Sequence, residues 1–280
     1  DLLCIGTVGD IVELKSENRV FVKRGLVNIQ ESDRVGINAL VQTAGIAGKK
    51  ITSGNVSFTL VPRINAVGRL GFSGKSVSLL LTEDETEAME IAKQINDDNT
   101  ERKVREQKIL LMIDDMVKSR PEIMYDRVLV IDGEGWHQGV IGIVAARIKE
   151  YLGKPTIIIT RDGAEAKGSG RSVEGFSLCD AIFACSDLLT HFGGHPMAAG
   201  LSLKSENIEL FRKRINEYAL QLENIPFNAC NIDCKLNPSL INVQLVEPLA
   251  YLAPYGAGNP TPLIGLYKMT LSQITPLSQN

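Results

Sequence analysis

The segment from Thr82 to about Ser119 constrains the fold most, because it reads as one long helix with no internal breaker. Apolar residues recur at helical spacing near both of its ends, whereas residues 96–108 contain a single apolar residue, Val104. A helix with a polar centre and apolar ends is typical of a connection that crosses solvent between two bodies. At 1.5 Å per residue it would span about 50 Å. We expect a capping box of Thr82 and Glu85 at its start and a stop at Pro121.

The part of the chain after this helix alternates between strand and helix patterns, as α/β domains do. Two glycine-rich stretches, 168–172 and 191–200, read as loops between these elements. An amphipathic helix over residues 208–222 would pack on the resulting sheet. The predicted elements are the strands Val128–Ile131, Thr156–Thr160 and Leu201–Leu203, and the helices Val140–Leu152, which stops at Gly153, and Ser177–Leu189.

The two ends of the chain differ from this middle part in their residue patterns. The start reads as a strand over Leu2–Ile5, and its first residue is Asp1 rather than methionine, from which we expect a longer chain. From Pro226 onwards prolines are frequent, with a compact turn at Tyr255–Pro260 and a strand candidate at Leu263–Leu271.

Charge and composition limit the classes of function. The formal net charge is −3 and the pI is near 5.8, so nucleic acid would have to be bound by local clusters rather than by a basic surface. There is no run of about 18 apolar residues for a membrane span, and the start lacks a secretory signal. Five cysteines indicate free thiols in a reducing cytoplasm, and zinc is disfavoured because they provide no second ligand pair. They are Cys4, Cys179, Cys185, Cys230 and Cys234.

The stretch Gly168-Ser169-Gly170-Arg171-Ser172 suits an anion. Its glycines would let the backbone approach a ligand, its hydroxyls would donate hydrogen bonds, and its guanidinium can clamp phosphate oxygens. A β-turn with an exposed arginine is the alternative. In the second stretch, Gly193 and Gly194 leave room beside His195, which would donate to a phosphate, orient a scissile group, or serve the structure only.

Trp136 and His137 precede a predicted helix at the end of a predicted strand, where α/β sheets hold ligands and helix N-termini attract anions. Trp136 would stack on a base or pack in the core, and His137 would contact substrate or cap the helix. Taken alone, Asp10 is an ordinary loop acid, and Arg63 and Arg69 are ordinary surface charges, because a hydrolytic divalent ion needs several ligands.

Taken together and in order, the motifs resemble those of the RecJ family, the bacterial single-strand-specific DNA exonucleases of the DHH phosphoesterase superfamily. The matching segments are 6–10, 62–69, 135–142, 168–172, 193–195 and 255–260.

This resemblance implies an α/β fold in four parts. Residues 1–72 would be the tail of the DHH catalytic domain and 73–121 a long connecting helix. Residues 122–225 would form a DHHA1 substrate-binding domain, and 226–280 the start of an OB-fold that binds single-stranded DNA.

The resemblance also implies the roles of individual residues. Asp10 would bind one of two Mn²⁺ or Mg²⁺ ions, and His195 would be catalytic and face the scissile region. Arg69, Ser169 and Arg171 would hold a terminal 5′-phosphate. The remaining substrate-binding candidates are Arg63, Gly170, Ser172, Gly193, Gly194, Trp136 and His137.

The implied function is metal-dependent 5′-to-3′ degradation of single-stranded DNA in repair and recombination. Single-strand-binding protein and a helicase would be partners, and no membrane is involved. The family's Asp-x-Asp, further aspartate and Asp-His-His motifs have no counterpart here and would lie upstream of Asp1, so we expect this chain alone to be inactive. The alternatives are an oligonucleotide or cyclic-dinucleotide phosphodiesterase of the same superfamily and a non-catalytic DNA-binding relative.

Overall fold

The structure, a computed structural model, describes residues 1–71, 74–222, 231–270 and 272–275, without the side chain of Leu70. It comprises two compact units. The first consists of Asp1–Pro62, Ser78–Ala92 and Cys230–Asn280, and the second of Arg63–Val77 and Lys93–Ala229. The predicted boundaries at 72–73 and 225–226, and Cys230, lie outside the described residues.

The chain begins with helices rather than with the expected strand. The prediction for Leu2–Ile5 is wrong: these residues start a helix whose first amide, that of Leu2, donates to the Asp1 carboxylate at 2.6 Å. A short apolar run fits both the strand and the helix period, so the sequence pattern did not separate them. The helices are α1 Leu2–Gly9, α2 Ser16–Gln30, α3 Val35–Thr43, α4 Ser53–Asn55, α5 Val61–Leu70 and α6 Gly74–Leu81, with a π-helical turn at Val56–Leu60.

The predicted long helix is present as α7, Glu85–Ser119. Its start differs from the expected capping box, because the Asp84 carboxylate accepts the Glu87 amide at 2.8 Å. Asp84 thus caps the helix, and the predicted roles of Thr82 and Glu85 are wrong.

The polar centre of α7 is buried on one side, contrary to the expectation of a helix in solvent. Asn99, Arg102 and Glu106 are 1%, 8% and 2% exposed. Their spacing of three and four residues puts them on one helix face, and we call these three residues the buried polar row. The Arg102 guanidinium donates to Asn99 Oδ1 at 3.3 and 3.2 Å and to Glu106 Oε2 at 2.9 Å. Burial of these polar groups is tolerated because they bond one another.

The second unit contains a five-stranded sheet in the order β1-β2-β3-β5-β4. β1 and β2 are parallel, and the other neighbouring pairs are antiparallel. The strands are β1 Leu129–Glu134, β2 Thr156–Asp162, β3 Glu165–Arg171, β4 Leu189–His195 and β5 Ala198–Lys204, and the helices are α8 Gln138–Leu152, α9 Leu178–Phe183 and α10 Ile208–Gln221.

Both glycine-rich stretches form strands, so their prediction as loops is wrong. Residues 168–171 belong to β3, and 191–200 form the β4–β5 hairpin. Glycine disfavours strands locally, but pairing with neighbouring strands overrides that preference here. The predicted helix Ser177–Leu189 is shorter than expected: after α9 there is a 3₁₀ turn, Ser186–Leu188, and then β4.

Helices cover both faces of this sheet. On one face, α9 and α10 bury Ile157, Ile159 and Leu201, and Phe211 of α10 is fully buried as the amphipathic pattern predicts. On the other face, α8 and the second half of α7 bury Ile131. The sheet therefore holds α8 firmly between its strands and α7.

The C-terminal part has little regular structure in its described residues. β6 Cys234–Leu236 pairs in parallel with β7 Ile264–Leu266, and α11 spans Val246–Ala250. The predicted turn is confirmed, because Gly256 and Asn259 exchange backbone hydrogen bonds of 2.9 and 3.1 Å. The strand predicted over Leu263–Leu271 covers only β7, and Leu271 lies outside the described residues. None of the described helices has the length and apolarity needed to cross a membrane.

Candidate phosphate-binding site

The register of β3, β5 and β4 brings the glycine-rich motifs onto one face of the sheet. Residues directly opposite each other in antiparallel strands point to the same side. Three rows of residues result on the α8 side: Lys167–Ser202–His191, Ser169–Gly200–Gly193 and Arg171–Ala198–His195.

A cleft of about 680 Å³ lies over these rows. Small residues of the middle row, Gly193 and Gly200, form part of its floor, and Ser169 projects from the same row. The first turn of α8 and the end of α5 contribute Gln138 and Arg69 to its wall. The cleft is wide enough for a nucleotide-sized ligand.

Arg69 lies against the first turn of α8. Its Nη1 donates to the Gly139 carbonyl at 3.2 Å. The backbones approach so closely that a Cβ added at Gly139 would be 2.3 Å from the Arg69 carbonyl oxygen. The packing of α5 on α8 therefore depends on glycine at position 139.

Arg171 and Ser169 reach the same turn from β3. Arg171 Nη1 donates to Ser169 Oγ at 3.3 Å and to the Gly170 carbonyl at 2.8 Å. A Cβ added at Gly142 would be 2.9 Å from Ser169 Oγ and 3.2 Å from Arg171 Nη2. Arg69, Ser169 and Arg171 thus converge on the start of α8, and we call these three residues the phosphate grip.

The electrostatics of the phosphate grip favour an anion. Burial lowers the pKa of the Arg69 guanidinium, and the nearby charges of Arg102 and Arg171 lower it further, whereas Glu106 raises it. Burial also lowers the pKa of Arg171. Positive charges held together away from water are costly, and an anion among them would relieve that cost.

His137 caps α8, which was one of its two predicted roles. Its Nδ1 accepts the Gly139 amide at 3.2 Å, so its proton lies on Nε2. Burial, followed by the charge of Arg105, lowers the pKa of His137. A neutral imidazole at this position satisfies a helix amide that would otherwise be free for an anion.

Three predicted substrate contacts lie in the core instead. Trp136 is 6% exposed, and its indole N–H contacts Met112 Sδ at 3.4 Å, so the ring is not available to stack on a base. Ser172 is 1% exposed and donates to the Phe176 carbonyl at 2.7 Å. Gly170 faces the core, where an added Cβ would be 2.5 Å from Leu178 Cδ2. Residues 170 and 172 point away from the cleft because strand neighbours alternate between faces.

The other predicted residues take different positions. The described residues that line the cleft include Gly193 but not Arg171, His195 or Arg63. His195 is exposed at the end of β4, in the row of Arg171. Gly194 has φ of +150° in the β4–β5 hairpin. Arg63 Nε donates to Asn96 Oδ1 at 3.1 Å.

Sequence reasoning did not assign four polar side chains that line the cleft, those of Gln138, Lys167, His191 and Ser202. Lys167 Nζ donates to Gln138 Oε1 at 3.2 Å across the cleft wall. The signal was present in the alternation of Lys167, Ser169 and Arg171, but it is recognisable only if this stretch is read as a strand.

The described residues do not form a complete metal site. Asp10 follows the end of α1 and is exposed. Within the described ranges, no group of three or more His, Cys, Asp or Glu side chains is arranged to hold an ion. A single carboxylate does not suffice for a divalent cation, which takes several oxygen ligands.

Sequence models of two domain families match the chain. The DHHA1 domain matches residues 123–221, and the RecJ OB domain matches residues 232–280. Together with the observed helix α7, these matches confirm the predicted fold class for the long helix, the α/β domain that follows it and the OB-fold start.

Proteins named single-stranded-DNA-specific exonuclease RecJ are similar along nearly the whole chain. The Bacillus subtilis protein is 34% identical over 100% of this chain and 36% of its own length. The Thermus thermophilus protein is 35% identical over 95% of this chain and 38% of its own length. A crystal structure of the Thermus thermophilus RecJ with Mn²⁺ superposes with a TM-score of 0.83 at 32% identity, covering 94% of this chain and 39% of that one. The chain thus spans little more than a third of the length of these relatives.

Proposed function

We propose that the chain belongs to the RecJ family and is part of a metal-dependent exonuclease that degrades single-stranded DNA from its 5′ end in repair and recombination. The observation that carries the proposal is the convergence of Arg69, Ser169 and Arg171 on the first turn of α8. Two guanidinium groups and a hydroxyl at one point match the oxygens of a phosphate.

The phosphate grip would explain why cleavage depends on a strand end. A phosphate monoester carries about 1.5 to 2 negative charges at pH 7, whereas an internal phosphodiester carries one. Clustered arginines therefore favour the terminal group, and binding it fixes how far from the end the strand is cut. The OB-fold start would hold the single strand by stacking and by contacts with its backbone.

We assign His195 the catalytic role at the scissile phosphate. Support comes from its exposed position in the row of Arg171, from which its imidazole would donate a hydrogen bond to a phosphate oxygen. For the metal, we propose that Asp10 supplies one ligand of an Mn²⁺ or Mg²⁺ ion and that the others come from parts of the protein outside this chain. Solved RecJ structures contain Mg²⁺ or Mn²⁺. The bound metal would lower the pKa of a water molecule and stabilise developing charge.

Single-stranded DNA with a 5′ end is the proposed substrate, with single-strand-binding protein and a helicase as partners that supply such ends. The proposed compartment is the cytoplasm. The free cysteines among the described residues support it, since reducing compartments keep thiols unpaired.

The test of the phosphate grip is Arg171→Ala in the full-length protein. We expect a loss of about tenfold or more in kcat/KM for 5′-phosphorylated single strands, because a charge-assisted bidentate contact is removed. Substrates with a 5′-hydroxyl should change much less. Lys204→Ala is the matched control, since Lys204 lies at the far end of the neighbouring strand β5 and is exposed. Equal losses on both substrates would exclude the phosphate grip.

The test of the metal role is Asp10→Ala in the same protein. We expect Mn²⁺-dependent turnover to disappear while the affinity for DNA is kept. Turnover that survives would remove Asp10 from the ligands. The purified 280-residue chain should bind single strands weakly and cleave them negligibly, and robust metal-dependent cleavage by it would contradict the proposed need for further ligands.

A further inference from the structure

The buried polar row of α7 has a defined partner on α8. Glu106 is 2% exposed and lies between two arginines. Its Oε2 accepts a hydrogen bond from Arg102 Nη1 at 2.9 Å, and its Oε1 lies 2.7 Å from Arg147 Nε. Oε1 has no aligned hydrogen bond, so its contact with Arg147 is Coulombic. A buried carboxylate between two helices fixes one against the other only as long as its charge is balanced.

This row leads towards the start of α8. Helix α5 connects the two. Near its start, Arg63 Nε donates to Asn96 Oδ1, one turn before Asn99 on α7, and near its end, Arg69 Nη1 donates to the Gly139 carbonyl in the first turn of α8. That turn is where the phosphate grip converges.

The charges of the row and of the phosphate grip are coupled. Arg102 and Glu106 both act on the Arg69 guanidinium, in opposite directions. Together, Arg69, Arg171 and Arg102 set three positive charges against the one carboxylate of Glu106. This excess of positive charge, to which Lys167 on the cleft wall adds, favours a terminal phosphate over the less charged internal phosphodiester. Arg147 also contacts the Glu106 carboxylate, but its side chain is 58% exposed, so solvent partly screens its charge.

We propose that the buried polar row is the electrostatic support of the phosphate grip. Glu106 and Asn99 hold the Arg102 side chain so that its charge adds to those of Arg69 and Arg171, and this sets the preference for a terminal phosphate over an internal phosphodiester. The three row residues are positioning residues, which act on substrate through the grip. This inference rests on the proposed function of the grip and adds a specificity determinant on a different helix.

The experiment measures binding of two probes to the full 280-residue chain. The probes are short oligothymidylates labelled at the 3′ end, one with a 5′-phosphate and one with a 5′-hydroxyl. Fluorescence anisotropy with a chelator present gives both Kd values without cleavage. The readout is the ratio of Kd for the hydroxyl probe to Kd for the phosphate probe, which a general loss of folding would not change selectively.

Arg102→Gln should lower this ratio about tenfold, through weaker binding of the phosphate probe alone. Lys103→Gln is the matched control, because it removes one positive charge from the adjacent, exposed position of α7. It should leave the ratio within about twofold, since exposed charges are screened. Equal weakening of both probes by Arg102→Gln would show a merely structural role and overturn the proposal.

Glu106→Gln separates positioning from simple charge. It makes the site more positive, so a plain sum of charges predicts a higher ratio. Loss of the group that holds Arg102 predicts a lower one. We expect the lower ratio, and a higher one would overturn the proposal.

Asn99→Ala covers the case in which Glu106→Gln does not fold, because alanine suits a helix and leaves the net charge unchanged. It should lower the ratio about threefold, since it removes one of the two acceptors that hold Arg102. An unchanged ratio would again count against the row. Arg171→Ala distinguishes failure of the supporting row from failure of the phosphate grip. If Arg171→Ala also leaves the Kd ratio unchanged, the proposed function of the grip is wrong. If Arg171→Ala lowers the ratio and the row variants do not, only the proposal for the row is wrong.

Discussion

Strand β3 and the β4–β5 hairpin are similarly rich in glycine, but Gly168 and Gly170 of β3 and Gly193 of β4 serve opposite faces of the sheet. On β3, Gly168 and Gly170 face neighbours so close that an added Cβ would be 2.9 Å from Leu201 Cδ1 or 2.5 Å from Leu178 Cδ2. On β4, a Cβ added at Gly193 would meet nothing within 4 Å. Glycine therefore makes room for the protein's own core on one strand and for the cleft on the other.

The largest effect should come from Gly194→Ala, in β4 two residues before the turn of the hairpin. Gly194 has φ of +150°, and its Cβ would be 2.4 Å from the Ala198 carbonyl oxygen and 2.5 Å from Ala199 Cα. Backbone atoms cannot move aside as a side chain can, so we expect the free energy of unfolding to fall by about 3 kcal/mol. Urea denaturation checks this, with the adjacent Gly193→Ala as control. Equal stability of the two variants would contradict the assigned hairpin geometry.

Gly170→Ala should have the next largest effect, because its clash is with the flexible end of Leu178. Overpacking of this kind costs about 1–2 kcal/mol. Binding of the 5′-phosphate probe by the folded protein should be preserved, as residue 170 points to the core. If the variant kept full stability but no longer bound the phosphate probe, Gly170 would have to lie on the cleft side. That result would contradict the assignment of the β3 glycines to the core face.

Ser172→Ala should cost about 1 kcal/mol, because it leaves the buried Phe176 carbonyl without its donor. Ser169→Ala is the matched change on the other face of the same segment. It should leave stability nearly unchanged and weaken binding of the phosphate probe. Thermal unfolding and fluorescence anisotropy measure the two effects on both variants. If Ser172→Ala weakened phosphate binding and Ser169→Ala lowered stability, the assignment of the two residues to opposite faces would be reversed.

Gly193→Ala should have the smallest effect on stability, less than about 0.5 kcal/mol, since its Cβ meets open space. The added methyl group occupies the cleft floor in the row of Ser169, beyond Gly200, so binding of the phosphate probe should weaken. Calorimetric unfolding measures the stability of the variant, and the anisotropy titration measures its binding of the phosphate probe. A loss of stability with unchanged binding would contradict the position of Gly193 on the cleft floor.

Elements with strong local signals could be predicted from sequence. Helix α8 was expected at Val140–Leu152 and spans Gln138–Leu152, because Gly153 takes the left-handed conformation, with φ of +64°, that ends helices. The β-branched run Thr156–Thr160 is part of β2 for a similarly local reason.

Elements that depend on tertiary contacts could not be predicted in this way. The glycines of β3 become strand residues through pairing with β2 and β5, which no local pattern reveals. The polar centre of α7 is typical of a solvated helix, and only its contacts show that Glu106 is enclosed by arginines.

The candidate site was found in part for the same reasons. Arg69 and Ser169 entered through the order of the motifs and do line one cleft. Ser172 was included because the stretch was read as a loop, in which side chains are not restricted to alternate faces. Lys167 was left out for the same reason, although it shares the face of Ser169.

The burial of Trp136 has a practical consequence. It is the only tryptophan of the sequence, and its ring is packed against Gly133 and Met112 directly before the cap of α8. The tryptophan fluorescence of the chain therefore reports from a single place, the junction of β1, α7 and α8. Release of this junction would expose the indole to water and shift its emission to longer wavelength, which gives an optical signal for the integrity of the site without any added label.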